Sequence, residues 1–191
     1  MVAPDRRPLA GTVQVDETTV RASEEGVFGR DPGSKKHLVI GAVEEREAAC
    51  GRARLAPVGC ASKEALQLWI SDTVAEGAHV RTDGLASYDG LDHAYEHDVQ
   101  IIGNPKTASE KFPHVHRVFS LFKRLILSTY QGSVIPKYLA AYCNEWVFRF
   151  NRRTSKSRTL LLQRVRENGV RSQARVHVFV RRNDITDLLV A

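Results

Sequence analysis

Two aspartates stand where carboxylates could do chemistry. Asp16 lies in the run Thr12-Val13-Gln14-Val15-Asp16-Glu17-Thr18. In a strand, Val13 and Val15 face one side and Gln14 and Asp16 the other. Asp83-Gly84 closes Ala78-His79-Val80-Arg81-Thr82, a short strand ending where open α/β sheets place their ligands. A carboxylate on a half-buried strand is costly unless it is solvated, paired or bound to a cation. Singly, Asp16 reads more simply as a strand-edge surface residue and Asp83 as a turn residue. Together, at the ends of neighbouring strands, they form a candidate site for a hard divalent cation, Mg²⁺ or Mn²⁺.

Charge divides along the chain. Residues 1–110 carry 12 Lys/Arg against 18 Asp/Glu, whereas residues 111–182 carry 16 Lys/Arg against only Glu145 and Glu167. An acidic half suited to cations joined to a basic half suited to polyanions points to nucleic acid as the partner. A solvated basic face is the plainer alternative. The 191 residues, 42% hydrophobic and 26% charged, suffice for a domain with a real core and exclude wholesale disorder. No apolar run reaches the roughly 18 residues of a membrane span, so no membrane partner is expected. The N-terminal residues lack the apolar stretch of a secretory signal, which gives the expectation of an intracellular protein. Cys50, Cys60 and Cys143 show no metal-ligand spacing and read as inert, buried or half-buried thiols.

The elements that must position the aspartates follow from periodicity. Strands are expected at Thr12–Thr18, His37–Val43 and Gly51–Val58. A helix capped by Ser62 and stopped by Gly77 comes next. Strands follow at Ala78–Asp83 and Tyr95–Ile102. Pro113 opens a long helix with Val115, Val118, Phe119 and Phe122 on one face, and Pro136 opens another containing Tyr142, Trp146 and Phe150. A third helical stretch is expected over Thr159–Glu167, and Val176–Val180 alternates without an evident partner. Strands followed by a βαβ step imply an α/β fold: a mixed sheet, three antiparallel strands and then parallel ones, flanked by helices.

Several segments together resemble a known family. These are Val15-Asp16-Glu17-Thr18, Arg81-Thr82-Asp83-Gly84 with Tyr88 and Gly90-Leu91, Val115-His116-Arg117-Val118-Phe119-Ser120-Leu121-Phe122-Lys123-Arg124, and Phe148-Arg149-Phe150-Asn151-Arg152-Arg153. In this order and spacing, from about Leu9 to Arg164, the chain resembles bacterial insertion-sequence transposases of the DDE superfamily. It is similar to the small group that normally carries an N-terminal zinc ribbon. The resemblance implies a ribonuclease H-like core in which Asp16 and Asp83 hold divalent ions, Mg²⁺ or Mn²⁺. These ions would activate water, and later a DNA 3′-hydroxyl, for attack on a phosphodiester. It also implies DNA as partner, a homo-oligomer on that DNA, and a cytoplasmic, nucleoid-associated protein.

The superfamily's third acid is usually a Glu early in the long helix, seven residues before a Lys or Arg. Counting back from Lys123 reaches His116, and seven helical residues drift only about 20°, so the two share a face. An imidazole binds divalent ions and suits Mn²⁺ better than Mg²⁺. His116 is thus a third catalytic and metal ligand in one reading, marks a copy that has lost its third ligand in another, and is a surface histidine beside phosphate in the plainest. Lys123, Arg124, Arg149, Arg152, Arg153, Lys156 and Arg158 are candidate phosphate contacts. Glu17 points to the opposite strand face and reads as structural or as a support behind the ligands. The expected organisation is a polar leader over 1–11, the ribonuclease H-like core over 12–168 and a C-terminal tail over 169–191. The resemblance further leads one to expect a core without its DNA-reading front domain. A catalytically inactive truncated remnant that binds DNA non-specifically, and a ribonuclease H-like nuclease unrelated to transposition, are the competing functions.

Overall fold

In the computed structural model, the described residues are 6–21, 36–47, 49–101, 110–130, 134–157, 159–160 and 162–167. They divide into two compact units, of which the larger runs from Pro8 to Asn151. Its strands are β1 (Thr12–Arg21), β2 (Lys36–Arg46), β3 (Ala49–Val58), β4 (His79–Thr82) and β5 (Glu96–Val99); its α-helices include α1 (Lys63–Thr73), α2 (Pro113–Thr129) and α3 (Leu139–Phe150). The sheet order is β3-β2-β1-β4-β5. β1 pairs antiparallel with β2, and β2 with β3; β1 pairs parallel with β4, and β4 with β5. This is the mixed sheet expected from the sequence, three antiparallel strands and then parallel ones, with β1, the strand bearing Asp16, at its centre.

Strand alternation gives the sheet two apolar faces. Val13, Val15, Ile40, Ala42 and Val80 pack with Leu66 and Ile70 of α1 and with Tyr88 and Leu91. Val20, Val39, Val43, Ala53 and Leu55 pack on the other face against Val115, Val118, Phe119 and Phe122 of α2 and Cys143, Trp146 and Phe150 of α3. Each helix therefore buries one stripe, as an amphipathic helix on a sheet must. Asn151 fastens the end of α3 to β3: its Oδ1 accepts from Ala53 N at 2.7 Å and its Nδ2 donates to Ala53 O at 3.0 Å.

Local differences from expectation have local causes. Leu9, placed by the sequence in a polar leader, is fully buried and bridges to Val74, with hydrogen bonds from Leu9 N to Thr73 O and from Ala75 N to Leu9 O. That same pairing draws Val74 into extended backbone and ends α1 at Thr73, ahead of Gly77. Ser62 caps α1 as expected, its Oγ accepting from Ala65 N at 3.3 Å. The residues after Pro136 form a 3₁₀ turn (Pro136–Tyr138) before α3 begins. Cys60 is exposed, contrary to the reading of all three thiols as sheltered, because it lies in the link between β3 and α1; Cys50 and Cys143 are buried. Among the described residues no helix is long and apolar enough to cross a membrane.

In the smaller unit, residues 159–160 and 162–167 are helical. The alternating stretch at 176–180 and the candidate contact Arg158 lie outside the described residues.

Candidate active site

The sheet register brings the two aspartates level with one another. The last parallel pair between β1 and β4 is Gln14 with Arg81. Two residues further along each chain segment come Asp16 and Asp83, past the last pair of the ladder. The C-terminal end of a parallel strand pair is the usual ligand position in such sheets. Asp83 lies just past β4 and also makes a turn: its Oδ1 accepts from Leu85 N at 3.2 Å. Burial pushes the Asp83 carboxyl above its ordinary pKa, and the neighbouring charge of Asp16 pushes it the same way, against the pull of the Leu85 hydrogen bond. The two carboxylates therefore sense each other.

His116 reaches the same face from α2, with its Nε2 3.0 Å from Asp16 Oδ2. Two features of the sequence put it there. Gln14, two residues before Asp16 and fully buried, accepts with Oε1 from the backbone N–H of both His114 and Val115 at 3.1 Å. No side chain of α2 caps that end, so an amide from the central strand satisfies donors that a helix start leaves open. Gly41, directly across from Asp16 on β2, supplies the second feature. A Cβ there would lie 2.5 Å from the Phe119 ring and 2.9 Å from Leu55 Cδ2. Glycine lets Phe119 sit on the sheet, and His116, three residues earlier on the same side of the helix, meets Asp16. Gln14 Nε2 also donates to Glu45 Oε1, which accepts from Arg81 Nη1 at 2.8 Å; Arg81 Nε donates to Asp98 Oδ2 at 3.2 Å. This network ties β1, β2, β4 and β5 together behind the aspartates.

The reverse face carries Glu17, as its place in the alternation requires. The buried Tyr88 hydroxyl donates to Glu17 Oε1 at 2.6 Å. Burial raises the Glu17 pKa from 4.5 to about 7; the Tyr88 hydrogen bond opposes this, and the charges of Asp16 and Asp83 add to it. Three carboxylates thus crowd one end of the sheet, a field that a cation would relieve.

The donor types fit a divalent cation. His116 Nε2 and Asp16 Oδ2, hydrogen-bonded to each other, set a nitrogen and an oxygen donor side by side. Asp83 adds a second carboxylate from the adjoining strand. Among the described residues, no three His, Cys, Asp or Glu side chains are gathered around one point. Asp16 and His116 touch, while Asp83 feels the charge of Asp16.

The expected phosphate contacts fall in two places. Lys123 is half-buried and Arg124 exposed on α2. Arg124 and Arg149 flank a groove of about 400 Å³ floored by Leu121, Leu125, Trp146 and Phe150. Arg149 is also paired with Glu145 at 3.2 Å. Arg152, Arg153 and Lys156 belong to the smaller unit, where Arg153 and Lys156 are exposed and Arg152 is half-buried. Sequence reasoning missed the roles of Gln14 and Gly41. The signal available for Gln14 was the absence of a capping residue before Pro113.

Among known proteins, no curated one matches the chain. A solved structure, "Crystal structure of catalytic core domain of BIV integrase in crystal form I", is similar with a TM-score of 0.48 at 18% identity, covering 78% of this chain and 86% of that one. The family model described as the ISXO2-like transposase domain matches residues 8–151. That span holds Asp16, Asp83, His116 and every element of the sheet, and the chain belongs to the ISXO2-like transposase domain family.

Proposed function

We propose that this transposase domain cleaves and joins DNA strands beyond the paired ends of β1 and β4, with a divalent cation held by Asp16, Asp83 and His116. Transposase domains of this kind act on DNA and generally use divalent ions. When bound, the cation supplies Lewis-acid activation of water or a 3′-hydroxyl and stabilises charge on phosphodiester oxygens. Asp16 and Asp83 provide the negative field and oxygen donors, and His116 provides one nitrogen donor fixed against Asp16. That nitrogen favours Mn²⁺ over Mg²⁺, because imidazole suits the less hard ion. Lys123, sharing a helix face with His116, meets the DNA backbone nearest the site. Arg124, Arg149, Arg152, Arg153, Lys156 and Arg158 hold flanking phosphates without reading sequence. The active form is a homo-oligomer on DNA, in the cytoplasm and at the nucleoid.

The observation that carries this reading is the meeting of Asp16 with His116 at 3.0 Å, with Asp83 near enough to feel the Asp16 charge. Cleavage of supercoiled plasmid, followed by joining of a labelled 3′-end, tests it. The parent chain should act with Mn²⁺ and less with Mg²⁺, and Asp16→Asn and Asp83→Asn should each abolish both steps. Nicking without joining would indicate a nuclease instead, and DNA binding with neither step would indicate an inactive remnant.

A further inference from the structure

Beneath the aspartates, on the reverse face of the sheet, a second polar chain ends at Asp83. Thr82, the last residue of β4, is fully buried, and its hydroxyl donates to the main-chain oxygen of Asp83 at 3.0 Å. The same Oγ1 lies 2.8 Å from His97 Nε2. A hydroxyl has one proton, so with that proton on the Asp83 carbonyl the imidazole supplies the other bond through Nε2–H. The His97 side chain is 3% exposed, and its Nδ1 lies 3.4 Å from Asp92 Oδ1 at the surface.

We infer that His97 is a positioning residue for Asp83, acting through the Thr82 hydroxyl. The series Thr82–His97–Asp92 has the residue types of a nucleophilic triad, but a hydroxyl with no exposure cannot reach a substrate. What it can reach is Asp83. The ladder between β1 and β4 stops at Gln14 and Arg81, so β1 does not hold Asp83 through backbone bonds. The His97–Thr82 pair fixes the peptide at Asp83 from behind, and Leu85 N–H holds its carboxyl from the far side. Tyr88 does the equivalent for the other aspartate by holding Glu17, the residue next to Asp16. Each aspartate therefore has a neighbour on the reverse face pinned by a side chain from the segment that follows β4.

The inference rests on the reading of Asp83 as a cation ligand, and two measurements separate the two claims. In metal-free protein, Thr82→Val exchanges the hydroxyl for a methyl and should speed hydrogen exchange of the Leu85 amide about tenfold, leaving α1 and β2 amides unchanged. Thr82→Ser, which keeps the hydroxyl, should restore the parent rate, and His97→Phe should act like Thr82→Val. In Mn²⁺ titrations followed by melting temperature, Thr82→Val should weaken binding about 10- to 100-fold, the usual effect of removing a group that orients a metal ligand. Thr82→Ser should bind as the parent does. Equal Leu85 exchange in parent and Thr82→Val overturns the positioning role even if the parent binds Mn²⁺. A parent that binds no Mn²⁺ overturns the cation reading, while the exchange rates still decide whether His97 holds Asp83.

Discussion

His116 touches Asp16 directly, so substitutions at 116 separate a ligand from a bystander. His116→Ala should abolish strand joining while leaving DNA affinity unchanged. His116→Glu places a carboxylate where an imidazole now lies 3.0 Å from Asp16 Oδ2. Like charges so close destabilise the metal-free protein, and a hard cation relieves them, so this variant should shift its preference toward Mg²⁺. Full activity in His116→Ala would remove His116 from the ligand set. On the reverse face, Tyr88→Phe tests the Glu17 contact. The pKa of Glu17 is raised in the fold to about 7 from 4.5, so its contribution to stability is present below pH 4.5 and is lost as pH rises through 7. The Tyr88 hydrogen bond supports the ionised carboxylate and limits that loss. In chelator, Tyr88→Phe should therefore cost about 1–3 kcal/mol at pH 8 and less at pH 4.5, measured by urea unfolding. An equal cost at both pH values would show that Glu17 does not remain the partner of Tyr88.

The elements explain why the residues meet. α2 is set on the sheet by Phe119 over Gly41 and by Gln14 at the start of the helix. Gly41→Ala should overpack this contact and destabilise by about 1–3 kcal/mol, and by moving α2 it should reduce joining activity further than the stability loss explains. Parent activity and stability in Gly41→Ala would show that α2 is not held there. Much of this layer was legible in advance. Alternation in β1, the Ser62 cap and the Pro113 start mark their elements because the signals are local. The facing of Asp16 away from Val15, and of Glu17 toward the reverse side, follows from the same period of two. What was not legible depends on pairing between distant segments. Leu9 joins the core only because Val74 offers it a bridge, and α1 stops early for the same reason. Gln14 acts on a helix 100 residues away in sequence, which no local pattern announces. His116 could be singled out by its spacing from Lys123, but its contact with Asp16 required the sheet and helix to be assembled.

At the scale of the whole molecule, the acidic excess lies in residues 1–110 and the basic excess in residues 111–182. If Arg124, Arg149, Arg152 and Arg153 track phosphates, affinity should fall steeply with salt, with a slope near −0.9 per phosphate contacted. Arg152→Ala with Arg153→Ala should flatten that slope and lower affinity about equally for unrelated DNA sequences, as read by fluorescence anisotropy over a salt series. A strong sequence preference, or an unchanged slope, would mean that these cations do something else. A cation held by Asp16 and Asp83 is open to a direct test without DNA. Melting temperature should rise with Mn²⁺ in the parent chain, since an ion that binds only the folded state stabilises it by about 2.7 kcal/mol at one hundred times its dissociation constant. In Asp83→Asn the rise should vanish. No rise in the parent at millimolar Mn²⁺, or the same rise in Asp83→Asn, would contradict the site.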